Sequence, residues 1–199
     1  PAPPLSSPTV VTRYFILGFE HIIPKGLDHL LFVLGLFLLS PKLKPLIWQV
    51  SAFTLAHTIT LALTILGAIR VSPDIVEPII AASIALIAIE NLLTTKVHPW
   101  RPAVVFVFGL FHGLGFAGVL TELGLPQGQL ATALISFNVG VEAAQLAVIG
   151  AAWLLTLKLR NRPWYRSRIT IPASVTIALV AGYWTVERVF GPFFGSDLP

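Results

Sequence analysis

The fold is decided by the stretch Gly18-Phe19-Glu20-His21-Ile22-Ile23-Pro24-Lys25-Gly26-Leu27-Asp28-His29-Leu30-Leu31-Phe32. Two histidines and two acids sit here inside a segment, from Tyr14 to Leu39, whose only other charge is Lys25. An ionisable side chain at bilayer depth is costly, so it normally faces a partner, a cavity or an ion. Pro24 removes a backbone donor and clashes with the turn before it. Two readings follow: a surface helix followed by a short span, or one span kinked at Pro24. The kink is preferred, because 27–40 alone is too short to cross a hydrocarbon core that needs about 20 residues.

The same pattern repeats outward along the chain. Of 199 residues, 55% are hydrophobic and only 11% charged, against about 25% charged in ordinary soluble domains. Six helical spans are expected, at about 13–40 (interrupted at 24–26), 46–69, 73–94, 103–123, 129–159 and 169–189. The expected fold class is therefore an all-α, polytopic membrane helical bundle. Residues 1–12 are expected to be disordered or extended, 13–191 to form the transmembrane domain, and 192–199 a short tail. The chain has neither methionine nor cysteine. It is thus expected to be processed or part of a longer product, and thiolate ligands and thiol nucleophiles are excluded. No signal-peptide pattern is read in Pro1 to Pro8.

Basic residues orient the bundle. Lys42 and Lys44, then Lys96 and Arg101, then Lys158, Arg160, Arg162, Arg166 and Arg168 fall in the loops after spans one, three and five. Only Arg13, Lys25, Arg70 and Arg188 fall on the other side. The odd-numbered loops are therefore expected in the cytoplasm and both termini outside. The net charge of +4 is a topology signal, and nucleic acid is not expected as a partner.

His29, His57 and His112 all fall near the middle of apolar spans, as do Asp28 and Glu142. These five are the expected metal ligands. Glu20 and His21 lie toward the outside above Pro24, and Glu90 lies toward the cytoplasm. Thr54 and Thr58 share a helical face with His57. Asn138, Glu142 and Gln145 form a polar stripe at four- and three-residue spacing. These seven further residues, Glu20, His21, Thr54, Thr58, Glu90, Asn138 and Gln145, are expected to line a path or support the ligands. Plainer roles stand beside these. Asp28 can cap the helix restarting after Gly26, and the threonines can be interhelical hydrogen-bond glue. Glu142 can simply bond Asn138, and Gly109 and Gly113 can serve close packing around His112.

Imidazoles and carboxylates without thiolates suit zinc, nickel, copper or iron and disfavour calcium and magnesium, which take oxygen ligands. Three functions fit: a transition-metal permease, an intramembrane zinc hydrolase with Asp28 or Glu142 as general base, and a structural or assembly subunit stapled by metal. The expected partners are a lipid bilayer and a metal ion, with a homo-oligomer or an accessory protein also open.

The motifs Gly18-Phe19-Glu20-His21, Gly26-Leu27-Asp28-His29-Leu30-Leu31-Phe32, Phe53-Thr54-Leu55-Ala56-His57-Thr58-Ile59-Thr60-Leu61, Val76-Glu77, Ala82-Ser83-Ile84, Phe108-Gly109-Leu110-Phe111-His112-Gly113-Leu114-Gly115-Phe116-Ala117 and Phe137-Asn138-Val139-Gly140-Val141-Glu142 with Gln145 occur in this order. Together they make residues 14–152 resemble the HupE/UreJ family (type 2 group) of hydrogenase and urease accessory membrane proteins. The resemblance implies a multi-pass protein of the bacterial inner membrane, from a family whose better-characterised branch comprises nickel permeases. In that branch a histidine precedes an Asp-His pair, and a Phe-His-Gly is followed by a second histidine and a glutamate. Here six residues separate His21 from Asp28, one more than in that branch. After His112 the chain reads Gly113-Leu114-Gly115-Phe116. The resemblance therefore carries over an intramembrane metal site and leaves its metal open.

Overall fold

The computed structural model describes residues 7–39, 42–122 and 128–194. Seven α-helices make up the described chain, and no strand occurs among those residues. They are α1 (Ser7–Ile22), α2 (Leu27–Leu39), α3 (Leu43–Ile65), α4 (Pro73–Leu93), α5 (Arg101–Glu122), α6 (Leu130–Thr156) and α7 (Ile171–Phe194), the last entered through a π-turn at Arg166–Thr170. Helix α1 starts at Ser7, earlier than the expected 13, and α7 runs beyond the expected 191. The remainder of the two expected terminal segments, 1–6 and 195–199, lies outside the described residues.

Local chemistry explains the punctuation. Helix α3 closes in a Schellman motif: Ala68 N–H bonds the Leu63 carbonyl and Gly67 N–H bonds that of Thr64, with Gly67 at φ +75° where an L side chain would be strained. Helix α4 then opens on Ser72, whose hydroxyl accepts from Asp74 N–H, with Pro73 at the first helical position and Asp74 against the positive helix end.

Four helical segments are each long and apolar enough to cross a membrane: Leu43–Ile65, Pro73–Leu93, Leu130–Thr156 and Arg166–Gly191. A fifth candidate is the broken pair α1 and α2, whose axes meet at 69°. The bend falls at Pro24, where a kink was expected. The stretch Arg101–Phe116 of α5 is apolar but shorter. The chain is thus a membrane protein with four to five candidate spans, where six were expected.

Helix α2 sits at the centre, in contact with α1, α3, α4, α6 and α7. At 13 residues it is about 20 Å long, and Phe32, Val33, Leu36 and Phe37 are all buried. Around it the other helices pack in pairs, α3 with α5, α1 with α6 and α4 with α7. Two pairs close on glycine. A Cβ on Gly18 would strike the Phe137 carbonyl, and one on Gly140 the Phe15 carbonyl, so α1 and α6 touch backbone to backbone. A Cβ on Gly113 would strike the His57 carbonyl and Thr60 Oγ1, which holds α5 tightly against α3. In lipid, association depends on such close packing, since apolar surfaces gain nothing from leaving hydrocarbon.

Candidate metal centre

Four imidazoles from four helices meet around the N-terminal end of α2. His21 closes α1, His29 lies in the first turn of α2, His57 is on α3 and His112 on α5. In an unbroken helix the eight residues from His21 to His29 would rise about 12 Å. The break at Pro24 instead brings the two rings to a centroid distance of 4.6 Å, edge to face. His21 lies 5.9 Å from His57 and His29 lies 6.0 Å from it, while the His29 and His112 rings are 4.8 Å apart. One nitrogen each of His21, His29 and His57 falls within 4.8 Å of the other two, and His112 Nδ1 lies 3.4 Å from His29 Nε2.

Two of these rings have their tautomers set by neighbours. Asn138 donates its amide to the Leu134 carbonyl at 2.8 Å. This fixes the amide so that Oδ1 faces His57 Nδ1 at 3.1 Å, and Nδ1–H must donate. An uncharged His57 then carries its lone pair on Nε2, which is buried and bonds nothing. On α4, Ser83 donates its only hydroxyl hydrogen to the Ile80 carbonyl at 2.7 Å. Its oxygen therefore accepts from His112 Nε2–H at 3.2 Å, and an uncharged His112 turns its lone pair on Nδ1 toward His29. His21 Nε2 is a further buried nitrogen without a hydrogen-bond partner. His57, donating from Nδ1 and leaving Nε2 bare, matches the way metal-bound histidines are oriented by their surroundings.

The donor set fits a metal of moderate softness. Tetrahedral zinc with Zn–N of about 2.0–2.1 Å needs nitrogens about 3.3 Å apart. The His29–His112 pair meets that spacing, and the His21–His29–His57 group must contract by roughly 1.5 Å to do so. His21 is only partly buried, whereas His29 and His57 are buried, so His21 has the most room to move toward the other two. Aromatic rings wall the cluster. Phe53 lies 4.9 Å from His112 and 5.7 Å from His29, Phe116 3.8 Å from His21 and Phe137 5.7 Å from His21.

The acids expected beside the histidines turn elsewhere. Asp28 Oδ2 pairs with Arg188 of α7 at 2.9 Å, and Arg188 also donates to the Glu77 carbonyl at 3.2 Å. Asp28, Glu77, Lys25 and Arg188 line a cavity of about 490 Å³ that reaches His21, His29 and His112, so Asp28 stands at its mouth. Glu142 accepts from Ser51 Oγ at 2.7 Å and from Thr54 Oγ1, in the seam between α3 and α6. Thr54 is also 3.1 Å from Gln145 Oε1 while Gln145 Nε2 bonds nothing. Turning that amide over lets Gln145 Nε2 donate to Thr54 Oγ1, whose single hydrogen is already used. Among the described residues no hydrogen bond or ion pair joins Asp28 or Glu142 to an imidazole.

The remaining expected residues have other partners. Glu20 pairs with Lys25 at the surface, and Thr58 donates to the Thr54 carbonyl at 2.6 Å. Glu90 pairs with Arg101, fully buried, at 3.3 Å. Arg101 also reaches Asn91 Oδ1 at 3.5 Å, while Asn91 donates to the Gly35 carbonyl at 2.8 Å and to Ser174 Oγ at 3.3 Å. This clamp joins α2, α4, α5 and α7. Ser83 and Arg188 were not singled out from the sequence as site residues. A serine or arginine in a helix carries no signal until its partner's place is known.

The family model described as HupE / UreJ protein matches residues 4–188. No protein of curated function and no solved structure matches the chain. With the match covering nearly its whole length, the chain belongs to the HupE / UreJ family.

Proposed function

We propose that this protein is a permease or metal-handling protein for a divalent transition metal. It would lie in the bacterial inner membrane with six spans and both termini outside. The carrying observation is the group of converging imidazoles, in which His57 Nε2 and His21 Nε2 are buried and bare while Asn138 and Ser83 pin the opposite nitrogens of His57 and His112. Buried polar nitrogens without partners are costly, and a metal ion satisfies several of them at once. An all-imidazole donor set favours nickel, zinc or copper over calcium and magnesium.

In this reading the cation enters through the cavity lined by Asp28 and Glu77. It is handed to His21, His29, His57 and His112, and leaves along the α3–α6 seam, where Glu142, Thr54 and Ser51 offer oxygens. The cluster itself contains no carboxylate, so a dication held there keeps its full charge in apolar surroundings. Such binding selects by ligand type yet stays weak enough for release, as conduction requires. The hydrolase reading is less favoured. Asp28 is held by Arg188 and Glu142 by Ser51 and Thr54, which leaves no carboxylate on the cluster to act as base.

The test is uptake of nickel and of zinc into proteoliposomes containing the purified protein. His57→Ala and His112→Ala are expected to abolish uptake. Unchanged uptake by both variants, each still helical by circular dichroism, sinks the proposal.

A further inference from the structure

A second cavity lies at another end of the bundle, among the loops that carry most of the basic residues. Its volume is about 920 Å³. Three cations from three separate loops converge on it: Lys42 from the α2–α3 connection, Lys96 from the α4–α5 connection and Arg160 beyond α6. Among the described residues no acid lines it, and none of the three cations takes part in an ion pair.

Three like charges around one concavity repel one another, which favours an anion between them. The Arg160 side chain and the Lys96 backbone are nonetheless held in place. The Arg160 guanidinium lies 4.5 Å over the Trp153 ring, a stacking that uses its face and leaves its in-plane N–H donors free. Lys96 N–H is fixed by Thr94 Oγ1 at 3.1 Å. Helix α3 also opens here, and its N-cap residue Lys42 makes no capping bond, so uncapped first-turn amides add their positive helix end. Leu39, Leu43, Val97 and Trp153 give part of the wall an apolar face, beside Thr95 and Asn161.

We propose that this cavity binds a phosphate-bearing anion, with the three cations and the α3 N-terminus on the phosphate. Two sources share that chemistry: an anionic phospholipid, whose headgroup would sit at the helix ends with its chains on the apolar wall, and a free phosphate in solution. Basic pockets between helix ends are the usual form of an anionic lipid site. The site is independent of the metal centre and does not rest on the permease reading.

The experiment uses the full chain in neutral detergent. Its thermal midpoint is followed on adding phosphatidylglycerol, phosphatidylcholine or inorganic phosphate, and bound lipid is counted by native mass spectrometry. Two triple variants are compared with the parent. One is Lys42→Gln, Lys96→Gln, Arg160→Gln. The other is Lys158→Gln, Arg162→Gln, Arg168→Gln, which removes as much exposed charge from the neighbouring loop without touching the cavity. At about five-fold per cation, the first is expected to weaken phosphatidylglycerol binding by about a hundred-fold and the second to change it little. A response to phosphatidylglycerol makes the ligand a lipid, and one to inorganic phosphate alone makes it a solute. Either supports the site when the cavity variant loses it. No response to either anion, or equal loss in both triple variants, overturns the proposal.

Discussion

Replacing Asn138 by leucine removes one atom group with two duties. Its Oδ1 accepts from His57 Nδ1–H at 3.1 Å, and its Nδ2 bonds the Leu134 carbonyl within its own helix. The first loss matters, because His57 is fully buried and has nothing else to donate to. An orphaned buried donor costs about 1–3 kcal/mol, so the thermal midpoint should fall without loss of the fold. Freed of its acceptor, the ring can move its proton to Nε2 and present no lone pair to the cluster. Removing such an orienting partner typically lowers metal affinity by about 10–100-fold, or roughly 1.4–2.8 kcal/mol. Asn138→Asp keeps the acceptor and is expected to bind metal at least as tightly as the parent. Competition for zinc against a chromophoric chelator, in detergent, reads the affinity, and circular dichroism checks the fold. A folded Asn138→Leu protein with the parent's affinity would refute the tautomer reasoning.

Four other variants have expected outcomes. Gly113→Ala pushes a Cβ into the His57 carbonyl and Thr60 Oγ1, so it should cost about 1–3 kcal/mol by overpacking and weaken metal binding by displacing His57. Gly182→Ala, with nothing near its Cβ, should leave both unchanged in the same unfolding and chelator assays. Arg188→Gln takes a positive charge from the mouth of the metal cavity. The partly exposed pair with Asp28 contributes less than about 1 kcal/mol, so stability should barely move. Initial metal uptake into proteoliposomes should rise about two- to ten-fold at low salt, and the gain should shrink as salt is added. Asn91→Leu leaves the buried Arg101 with Glu90 alone and should lower stability by about 2–4 kcal/mol in chemical unfolding, with metal affinity retained.

The helical, membrane-embedded character of the chain is legible in its composition and apolar runs, and the lone histidines of those runs draw the eye to His29, His57 and His112. What the runs hide is relative placement. A first span kinked at Pro24 puts His21 above the centre, whereas the 69° bend between α1 and α2 turns it in beside His29. The number of crossings is blurred for a different reason, since α5, expected as a full span, is apolar over the shorter stretch Arg101–Phe116. Asp28 and Glu142 share the depth of the histidines in a linear reading. Their directions are set by Arg188, 160 residues away along the chain, and by Ser51 and Thr54 on another helix, which no local spacing reveals. The glycine pair Gly109 and Gly113 is visible as a small-residue motif, yet its effect on the site comes through the His57 carbonyl it admits. Gly18 and Gly140 form an equally close crossing, but their two helices are far apart in sequence.

The central claim is that one metal ion is held by imidazoles of α1, α2, α3 and α5 together. X-ray absorption of the zinc- or nickel-loaded protein tests it most directly. The account predicts a shell of nitrogens, near about 2.0–2.1 Å for zinc, with outer scattering from at least three imidazole rings that falls by one ring in each of His21→Ala and His112→Ala. An oxygen-dominated shell that survives removal of both His57 and His112 would contradict it.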